Sequence, residues 1–280
     1  TNEENVVDIL NRILDKNIKA GINDKSINKV FDKLIPTTPY MRCSLLSEIT
    51  DVDAWVNPTK GYLIAQKKMD GMFININVNE DGVFLTTRQG NELLTENNQL
   101  LTNLIGELSK LEVLNQYHGE LLIYDKKNKK YVERQIANGW INSILKKPLE
   151  SNIDEDAYSI VVRVWDKVSY KFLSTYSNDD GFIYEERLSS IENDLKKTDR
   201  NLNLVDVVEY KKVKNIYDVK DYLVETLKNM EEGLVVKLPE MLWSDSTCRG
   251  QMKLKNKFVV ELKPKKYLDG TGKNVDYFGS

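Results

Sequence analysis

The segment from Tyr62 to Leu85 constrains the fold more than any other part of the chain. Apolar and polar residues alternate along it as they do in half-buried β-strands, and the sequence Asn79-Glu80-Asp81-Gly82 interrupts the alternation. This combination of amide, acidic and glycine residues favours a tight hairpin turn. We therefore expect two antiparallel strands here, and a sheet assembled from neighbouring hairpins.

Helical and strand patterns are mixed along the rest of the chain. Apolar residues at helical spacing predict helices at 4–19, 27–34, 97–111, 133–145, 184–197 and 219–230. Strand patterns lie at 114–124, 159–168, 204–213, 233–237 and 251–262. Because strands and helices do not alternate strictly, this order favours an α+β fold with antiparallel sheets flanked by helices over a doubly wound parallel sheet.

Three parts are expected along the chain. With 280 residues, of which 41% are hydrophobic, the chain can bury one substantial core. Pro36 and Pro39 resist helix and predict a linker ahead of that core. We expect a short helical region with its linker at 1–41, a main domain at 42–262 and a lead-in to a further segment at 263–280. The start at Thr1 and the end at Ser280 suggest an excised fragment.

The composition of the chain argues against several classes of protein and of binding site. The net charge of -3 and the pI near 5.5 argue against attachment to nucleic acid by bulk positive charge, although 40 Lys and Arg residues allow a local basic face. Cys43, Cys248 and His118 are too few for two closed zinc sites. Since no apolar run approaches the length of a membrane-spanning helix, we expect a soluble protein of a reducing cytoplasm with no membrane partner.

Five short blocks carry the residues with the clearest chemistry. Together they supply an amine nucleophile, two carboxylates, an aromatic plate and several cations, which are the parts needed to move a nucleotide onto a lysine and off again. In chain order the blocks are Lys68-Met69-Asp70-Gly71, His118-Gly119-Glu120-Leu121, Val164-Trp165-Asp166, Glu232-Gly233-Leu234-Val235-Val236-Lys237 and Met252-Lys253-Leu254-Lys255.

Lys68 is the candidate nucleophile. Side chains alternate along the strand that ends there, so Lys67 and Lys68 are expected to point to opposite faces. A nucleophilic lysine must lose its proton, which burial or neighbouring cations promote. Lys237, with Lys253 and Lys255 on one face of a later strand, could supply those cations or contact phosphate. The alternative for Lys68 is a solvated lysine before a turn, and the alternative for Lys253 and Lys255 is an exposed basic strand face.

Glu120 and Glu232 each lie in an apolar strand pattern, where an unpaired carboxylate is expensive to bury. One interpretation gives them a divalent cation, most simply Mg²⁺, and a ribose hydroxyl. The other interpretation gives each an ion pair with a nearby lysine. Trp165 follows a strand, and its indole suits stacking on a purine, with a core position as the alternative. His118 and Cys248 fit ordinary structural roles.

In this order the five blocks resemble motifs I, III, IIIa, IV and V of the covalent nucleotidyltransferase superfamily, which contains ATP-dependent DNA ligases, RNA ligases and mRNA capping enzymes. Within that superfamily the chain is similar to the DNA ligases of T-even bacteriophages. The similarity to them also rests on Gly21-Ile22-Asn23, Ile27-Asn28-Lys29-Val30, Leu34-Ile35-Pro36-Thr37, Arg88-Gln89-Gly90-Asn91-Glu92, Asn138-Gly139-Trp140-Ile141-Asn142, Tyr184-Glu185-Glu186-Arg187 and Trp243.

The resemblance implies a ligase-type, ATP-grasp-like nucleotidyltransferase fold. Residues 42–262 would be its adenylation domain, 1–41 the remnant of a DNA-binding region and 263–280 the lead-in to a missing OB-fold domain. Lys68 would attack ATP and keep AMP, which then passes to the 5′-phosphate of a nick in double-stranded DNA. The enzyme would be a monomer in the cytoplasm of a phage-infected host. The other implied roles are adenine contact for Gln66, stacking for Trp165, ribose contact for Arg88 and Glu120, Mg²⁺ for Glu120 and Glu232, and phosphate contact for Lys237, Lys253 and Lys255.

The chain departs from the family pattern in two respects. Ligases commonly carry Lys-x-Asp-Gly-x-Arg, but Phe73 takes the place of the arginine here, so one contact with ribose or with the nick's phosphate is missing or comes from elsewhere. The missing flanking domains lead us to expect slow self-adenylation and weak nick sealing. The alternatives are an RNA ligase or capping-type enzyme with the same lysine chemistry, and a non-catalytic nucleic-acid-binding module in which Lys68 contacts phosphate.

Overall fold

The computed structural model describes residues 5–8, 10–11, 24–31, 34, 37–93, 95, 98–146, 153–175, 181–255, 268–269 and 278–279. Its helices are α1 (Asp24–Val30), α2 (Asp53–Val56), α3 (Gln99–Leu108), α4 (Arg134–Lys146), α5 (Tyr170–Thr175), α6 (Tyr184–Leu195) and α7 (Val219–Lys228), with a 3₁₀ turn at Leu46–Glu48. Its strands are β1 (Arg42–Leu45), β2 (Leu63–Lys67), β3 (Met72–Asn79), β4 (Gly82–Thr86), β5 (Asn115–Asp125), β6 (Lys130–Tyr131), β7 (Tyr158–Ser169), β8 (Val205–Val207), β9 (Tyr210–Val213), β10 (Gly233–Lys237), β11 (Thr247–Lys255), β12 (Leu268–Asp269) and β13 (Phe278–Gly279).

A six-stranded sheet has the order β4-β3-β5-β7-β8, with β6 paired to β5. The predicted hairpin is confirmed, because β3 and β4 are antiparallel and Asn79 lies opposite Gly82. Helix α3 buries Leu100, Leu104 and Leu108 against this sheet. These residues recur at helical spacing, so they form one apolar stripe that faces the core. Helices α4 and α6 contribute to the same core cluster.

A five-stranded sheet has the order β1-β11-β10-β2-β9. Leu63 and Ala65 of β2 pack in a cluster with Tyr222 of α7, whereas Ile64 packs in another cluster with Tyr184 of α6. Because side chains alternate along a strand, both faces of β2 are covered. The chain then passes directly from β2 to β3 of the other sheet, so residues 68–71 lie at the junction of the two sheets.

The α+β class expected from the sequence is confirmed. Most strand pairs among the described residues are antiparallel as expected, but β1 is parallel to β11 and β7 is parallel to β8. Parallel neighbours need a long connection. Helices α5 and α6 lie within the connection from β7 to β8. No helix in the part of the chain that the structure describes combines the length and apolar character needed to cross a bilayer.

The single strand predicted at 204–213 is wrong, since the segment forms two strands in different sheets. Strand β8 pairs with β7, and β9 pairs with β2. Between them, the Val208 N–H donates to Val164 O at 2.9 Å and the Lys67 N–H donates to Glu209 O at 2.9 Å. The segment therefore crosses from one sheet to the other. Local alternation does not show this, because it reports the face of a residue and not the sheet it joins.

Other boundaries also differ from the prediction. The strand predicted at 251–262 begins earlier, at Thr247, and 256–262 lie outside the described residues. The helix predicted at 27–34 is observed at Asp24–Val30. Most of 4–19 and of 263–280 also lies outside the described residues, although 5–8 and 10–11 are helical and β12 pairs with β13.

Candidate active site

Lys68 lies directly after β2, where the chain leaves one sheet for the other. Its backbone N–H donates to Gly233 O at 2.8 Å, and its Nζ lies 2.5 Å from Glu232 Oε2. Glycine is required at 233 because φ is 142° and a Cβ there would collide with the backbone of Leu254 on β11. Gly233 thus allows β10 to pack closely against β11, and the pairing of β10 with β2 sets Glu232 beside Lys68.

Lys67 has different acidic partners from its neighbour. Its Nζ lies 2.7 Å from a Glu209 carboxylate oxygen and 3.0 Å from Glu231 Oε1. The side-chain alternation predicted at the end of this strand is therefore consistent with the observed contacts. Of the two adjacent lysines, Lys68 is the one that meets the predicted carboxylate Glu232.

Glu120 on β5 is the second carboxylate of the candidate site. Its Oε1 accepts a hydrogen bond from the Gly71 N–H at 3.0 Å. Burial raises the pKa of its carboxyl to about 7, even though the Gly71 N–H and the charges of Lys68 and Arg134 lower it, and Glu232 raises it further. These interactions place the Glu120 carboxyl within electrostatic reach of both members of the Lys68–Glu232 pair.

Lys237 is buried, with only 1% of its surface exposed. Its Nζ donates to Tyr184 Oη at 2.9 Å and to Trp165 O at 3.4 Å, and it lies 4.1 Å from the centroid of the Tyr184 ring. Burial lowers the pKa of the Lys237 ammonium to about 8, although the Asp166 carboxylate opposes this shift. The Lys237 ammonium is therefore buried, with the Tyr184 hydroxyl and the backbone carbonyl of Trp165 as its hydrogen-bond partners.

The other lysines of the motifs lie nearby. Lys255 Nζ is 3.8 Å from Glu232 Oε1. Burial raises the pKa of the Cys43 thiol, while the charges of Lys237, Lys253 and Lys68 lower it. Two of the predicted cations, Lys237 and Lys253, therefore lie within electrostatic reach of the same thiol as the candidate nucleophile Lys68. The direct contact of Lys68 itself is the carboxylate of Glu232.

The residues predicted to bind the nucleoside are Gln66, Trp165 and Arg88. Gln66 is 1% exposed, and its Nε2 forms no hydrogen bond of standard geometry with any described residue, although the Gln66 side chain lies close enough to Tyr184 to lower the pKa of that phenol. A buried amide without a partner is unfavourable, so this edge is a candidate ligand contact. The half-buried Trp165 has its ring centroid 5.8 Å from that of Phe73. Arg88 is exposed in the turn after β4, with its Cζ 4.0 Å from the Tyr40 ring centroid.

An ion pair between Asp166 and Arg187 supports the site and was given no role by the motif pattern. Arg187 Nε donates to Asp166 Oδ1 at 2.7 Å, and both side chains are buried. Burial raises the pKa of Asp166, but the charge and hydrogen bonds of Arg187 outweigh it, so the pKa lies below its ordinary value.

Burial lowers the pKa of His118 to about 4, and its Nε2 is 3.0 Å from Gln116 Oε1, which fits the expected structural role.

The carboxylates of the candidate site can be compared with the ligands that a metal ion needs. Within the described residues, no group of three or more histidine, cysteine, aspartate or glutamate side chains is arranged to hold a metal ion. Mg²⁺ does not need such a group, since one or two carboxylates and substrate phosphates are its usual ligands. Glu120 and Glu232 therefore fit a partial Mg²⁺ site that the phosphates of a nucleotide would complete.

The two-sheet α+β fold, with a lysine and two carboxylates at the sheet junction, is that of a ligase-type nucleotidyltransferase domain. Residues 25–257, which make up most of the chain, match the family described as ATP dependent DNA ligase domain. The chain therefore belongs to the family of ATP-dependent DNA ligase domains.

Two curated relatives confirm the expected similarity to T-even phage ligases. The DNA ligase of Enterobacteria phage T4 is 27% identical over 290 residues, which cover 92% of this chain and 56% of that protein. The DNA ligase of Enterobacteria phage T6 is 26% identical with the same coverage. The chain thus spans little more than half the length of these relatives. The solved ATP-dependent DNA ligase from bacteriophage T7 in complex with ATP supports the fold, with a TM-score of 0.56, 16% identity, and coverage of 79% of this chain and 69% of that one.

Proposed function

We propose that this chain is the adenylation part of an ATP-dependent DNA ligase and that Lys68 is its nucleophile. The observation that carries the proposal is the position of Lys68, whose Nζ lies 2.5 Å from Glu232 and whose charge acts on the half-buried Glu120. The alternative of a fully solvated Lys68 before a turn is not supported, since the Lys68 side chain is only 26% exposed.

The first step would form a bond between Lys68 Nζ and the α-phosphorus of ATP. The bond from that phosphorus to the bridging oxygen breaks, and pyrophosphate leaves with the electron pair. Before attack the ion pair with Glu232 must open and the ammonium must lose a proton, because only the free amine has a lone pair. Lys237, Lys253 and Lys255 would offset charge on the phosphates, which is the main demand of phosphoryl transfer.

The same residues would hold the nucleotide. Gln66 offers a buried amide edge to the adenine, and Trp165 offers an indole face. Arg88 and Glu120 would contact the ribose. Mg²⁺ bound by Glu120 and Glu232 would supply further positive charge to the phosphates.

The later steps would use nicked double-stranded DNA. AMP would pass from Lys68 to the 5′-phosphate, and the adjoining 3′-hydroxyl would displace AMP and close the strand. We propose that 42–262 is the adenylation domain, 1–41 part of a DNA-binding region and 263–280 the lead-in to an OB-fold domain. Since the chain covers 56% of its relatives, we expect self-adenylation by this chain but weak sealing.

The test is an intact-mass measurement after incubation with ATP and Mg²⁺. We expect the mass of one AMP to be added to the protein and to be missing from Lys68→Ala. Lys67→Ala is the matched control, because Lys67 is the adjacent lysine with its own acidic partners, and it should still gain AMP. A wild-type protein that gains no AMP would support the binding-module alternative and overturn the proposal.

Two further comparisons separate the enzymatic alternatives. A GMP adduct formed from GTP in preference to AMP would indicate a capping-type enzyme. Transfer of AMP to nicked RNA in preference to nicked DNA would indicate an RNA ligase. We expect AMP to be preferred in the first comparison and nicked DNA in the second.

A further inference from the structure

The segment just before β1 lies against the turn that carries Arg88. The turn is closed by hydrogen bonds from the Thr87 N–H to Asn91 O at 2.8 Å and from the Gly90 N–H to Thr87 O at 2.9 Å. A side chain at Gly90, where φ is 83°, would collide with the side chain of Thr38. The end of the predicted linker is therefore in contact with the candidate nucleotide site.

Tyr40 makes the central contact between these two segments. Its ring meets Phe73 edge to face, with centroids 5.0 Å apart and planes at 89°. Arg88 Cζ lies 4.0 Å from the centroid of the same ring, within the range of a cation–π interaction. Phe73 in turn lies 5.8 Å from Trp165. A continuous series of ring contacts thus connects the Arg88 guanidinium to the proposed adenine plate.

The backbone around Tyr40 is held from the other side. The Tyr40 N–H donates to Asp245 Oδ1 at 2.9 Å, and the Arg42 N–H donates to Ser246 O at 2.8 Å. These bonds attach the segment to the loop that precedes β11. Tyr40 is therefore restrained both through its backbone and through the contact of its ring with Phe73. The Arg88 side chain, in contrast, is exposed and would otherwise sample many rotamers.

Tyr40 also lies near the second residue assigned to the ribose. Burial raises the pKa of the Tyr40 phenol, the charge of Arg88 lowers it, and the charge of Glu120 raises it. The ring is thus within electrostatic reach of both Arg88 and Glu120. An arginine restrained in its bound position loses less conformational entropy when a ligand arrives.

We propose that Tyr40 is a positioning residue that holds Arg88 in place to receive the ribose side of ATP, with Phe73 supporting the Tyr40 ring. This inference rests on the proposed function, since it assumes that ATP adenylates Lys68. It also gives Phe73 a reason to be aromatic, because an arginine at that position would remove the edge-to-face contact with Tyr40.

The test compares Tyr40→Phe with Tyr40→Leu. The rate of formation of the Lys68 adduct is measured at varied ATP concentration. Tyr40→Phe keeps both ring contacts and should behave as the wild type. Tyr40→Leu keeps apolar bulk without a cation–π face, and its KM for ATP should rise about fivefold. Its rate at saturating ATP should change by less than about twofold. Tyr217→Ala, at a tyrosine that is 70% exposed, is the control and should change neither parameter.

A second comparison shows whether Tyr40 acts through Arg88. In an Arg88→Ala background, Tyr40→Leu should raise KM no further, because the group that it positions is gone. Equal effects of Tyr40→Leu in the two backgrounds would overturn the inference, as would an unchanged KM in Tyr40→Leu with an unchanged melting temperature. A wild-type protein that forms no adduct would refute the proposed function instead, so the two failures are distinguishable.

Discussion

Lys68 and Glu232 are 164 residues apart in sequence and 2.5 Å apart in space. A backbone hydrogen bond from the Lys68 N–H to Gly233 O holds the two chain segments together. One residue earlier in each segment, Lys67 and Glu231 form a second pair at 3.0 Å. Two Lys–Glu pairs of the same chemical type therefore lie side by side, and the charges of Lys68 and Glu232 act on the pKa of Glu120.

Glu232→Gln should reduce Lys68 adenylation by about 100-fold or more, because the variant removes a carboxylate from the proposed Mg²⁺ and phosphate site. Glu231→Gln should leave the rate within about twofold of the wild type. Since both ion pairs are partly exposed, we expect each variant to lower the free energy of unfolding by only about 1 kcal/mol or less. Single-turnover mass measurements and denaturant unfolding provide the two values, and equal losses of rate in the two variants would contradict the assignment.

Gln66→Leu should weaken ATP binding and reduce the preference for ATP over GTP without destabilising the fold. The Gln66 Nε2 is buried without a hydrogen bond among the described residues, so an apolar side chain of similar size removes an unfavourable group. The measurements are KM values for both nucleotides and the melting temperature.

Gln116→Leu is the matched control, because Gln116 is also buried but donates to Asn77 Oδ1 at 2.8 Å and contacts His118. It should destabilise the protein and leave nucleotide preference unchanged. Unaltered nucleotide preference in Gln66→Leu would remove Gln66 from the adenine site.

Glu120→Gln should stabilise the protein at pH 8 and have little effect at pH 5. The pKa of the Glu120 carboxyl is raised by burial from 4.5 to about 7 in the folded chain. A carboxyl whose pKa is raised on folding contributes stability that is complete below its unfolded pKa and is lost as pH rises through the folded pKa. The loss between pH 4.5 and 7 is at most roughly 3 kcal/mol. Glutamine has no proton to lose, so the variant should lack this pH dependence.

Denaturant unfolding of wild type and Glu120→Gln across this pH range measures the effect. Glu80→Gln, at the exposed turn between β3 and β4, is the control and should unfold with the same pH dependence as the wild type. Parallel stability curves for wild type and Glu120→Gln would show that the carboxyl is not buried as described.

Lys237→Met should give a protein that is more stable at pH 7 but adenylates about 100-fold more slowly, since the proposed phosphate contact is lost. Burial lowers the pKa of Lys237 from 10.5 to about 8. The unfolded chain therefore binds this proton more tightly, and the wild type regains stability as pH rises from about 8 towards 10.5. An apolar replacement of a buried charge commonly stabilises by roughly 1–4 kcal/mol.

Melting temperatures at pH 7 to 10 provide the check, and the advantage of Lys237→Met should shrink above pH 8. Lys228→Met, at the exposed end of α7, is the control for loss of a surface lysine. A variant with unchanged adenylation would exclude Lys237 from the phosphate contacts.

Local sequence patterns predicted a helix or strand well where the whole predicted segment belongs to a single sheet or packs against a single sheet. The β3–β4 hairpin and helix α3 were predicted because turn residues and apolar spacing act within a few positions of each other. The same reasoning failed at 204–213, where Val205–Val207 and Tyr210–Val213 have similar patterns but join different sheets. The choice of sheet depends on which distant strand has a free edge, and no local pattern reports that.

The sequence by itself determined which residues are chemically suited to nucleotide transfer and, through the order of the five blocks, the family to which the chain belongs. Only the tertiary structure decided that Lys68 meets Glu232 while Lys67 meets Glu209 and Glu231. It also decided that Tyr40, from the predicted linker, contacts Arg88. The physical reason is that residue type and spacing are local properties, whereas these contacts depend on strand register and chain crossing between segments far apart in sequence.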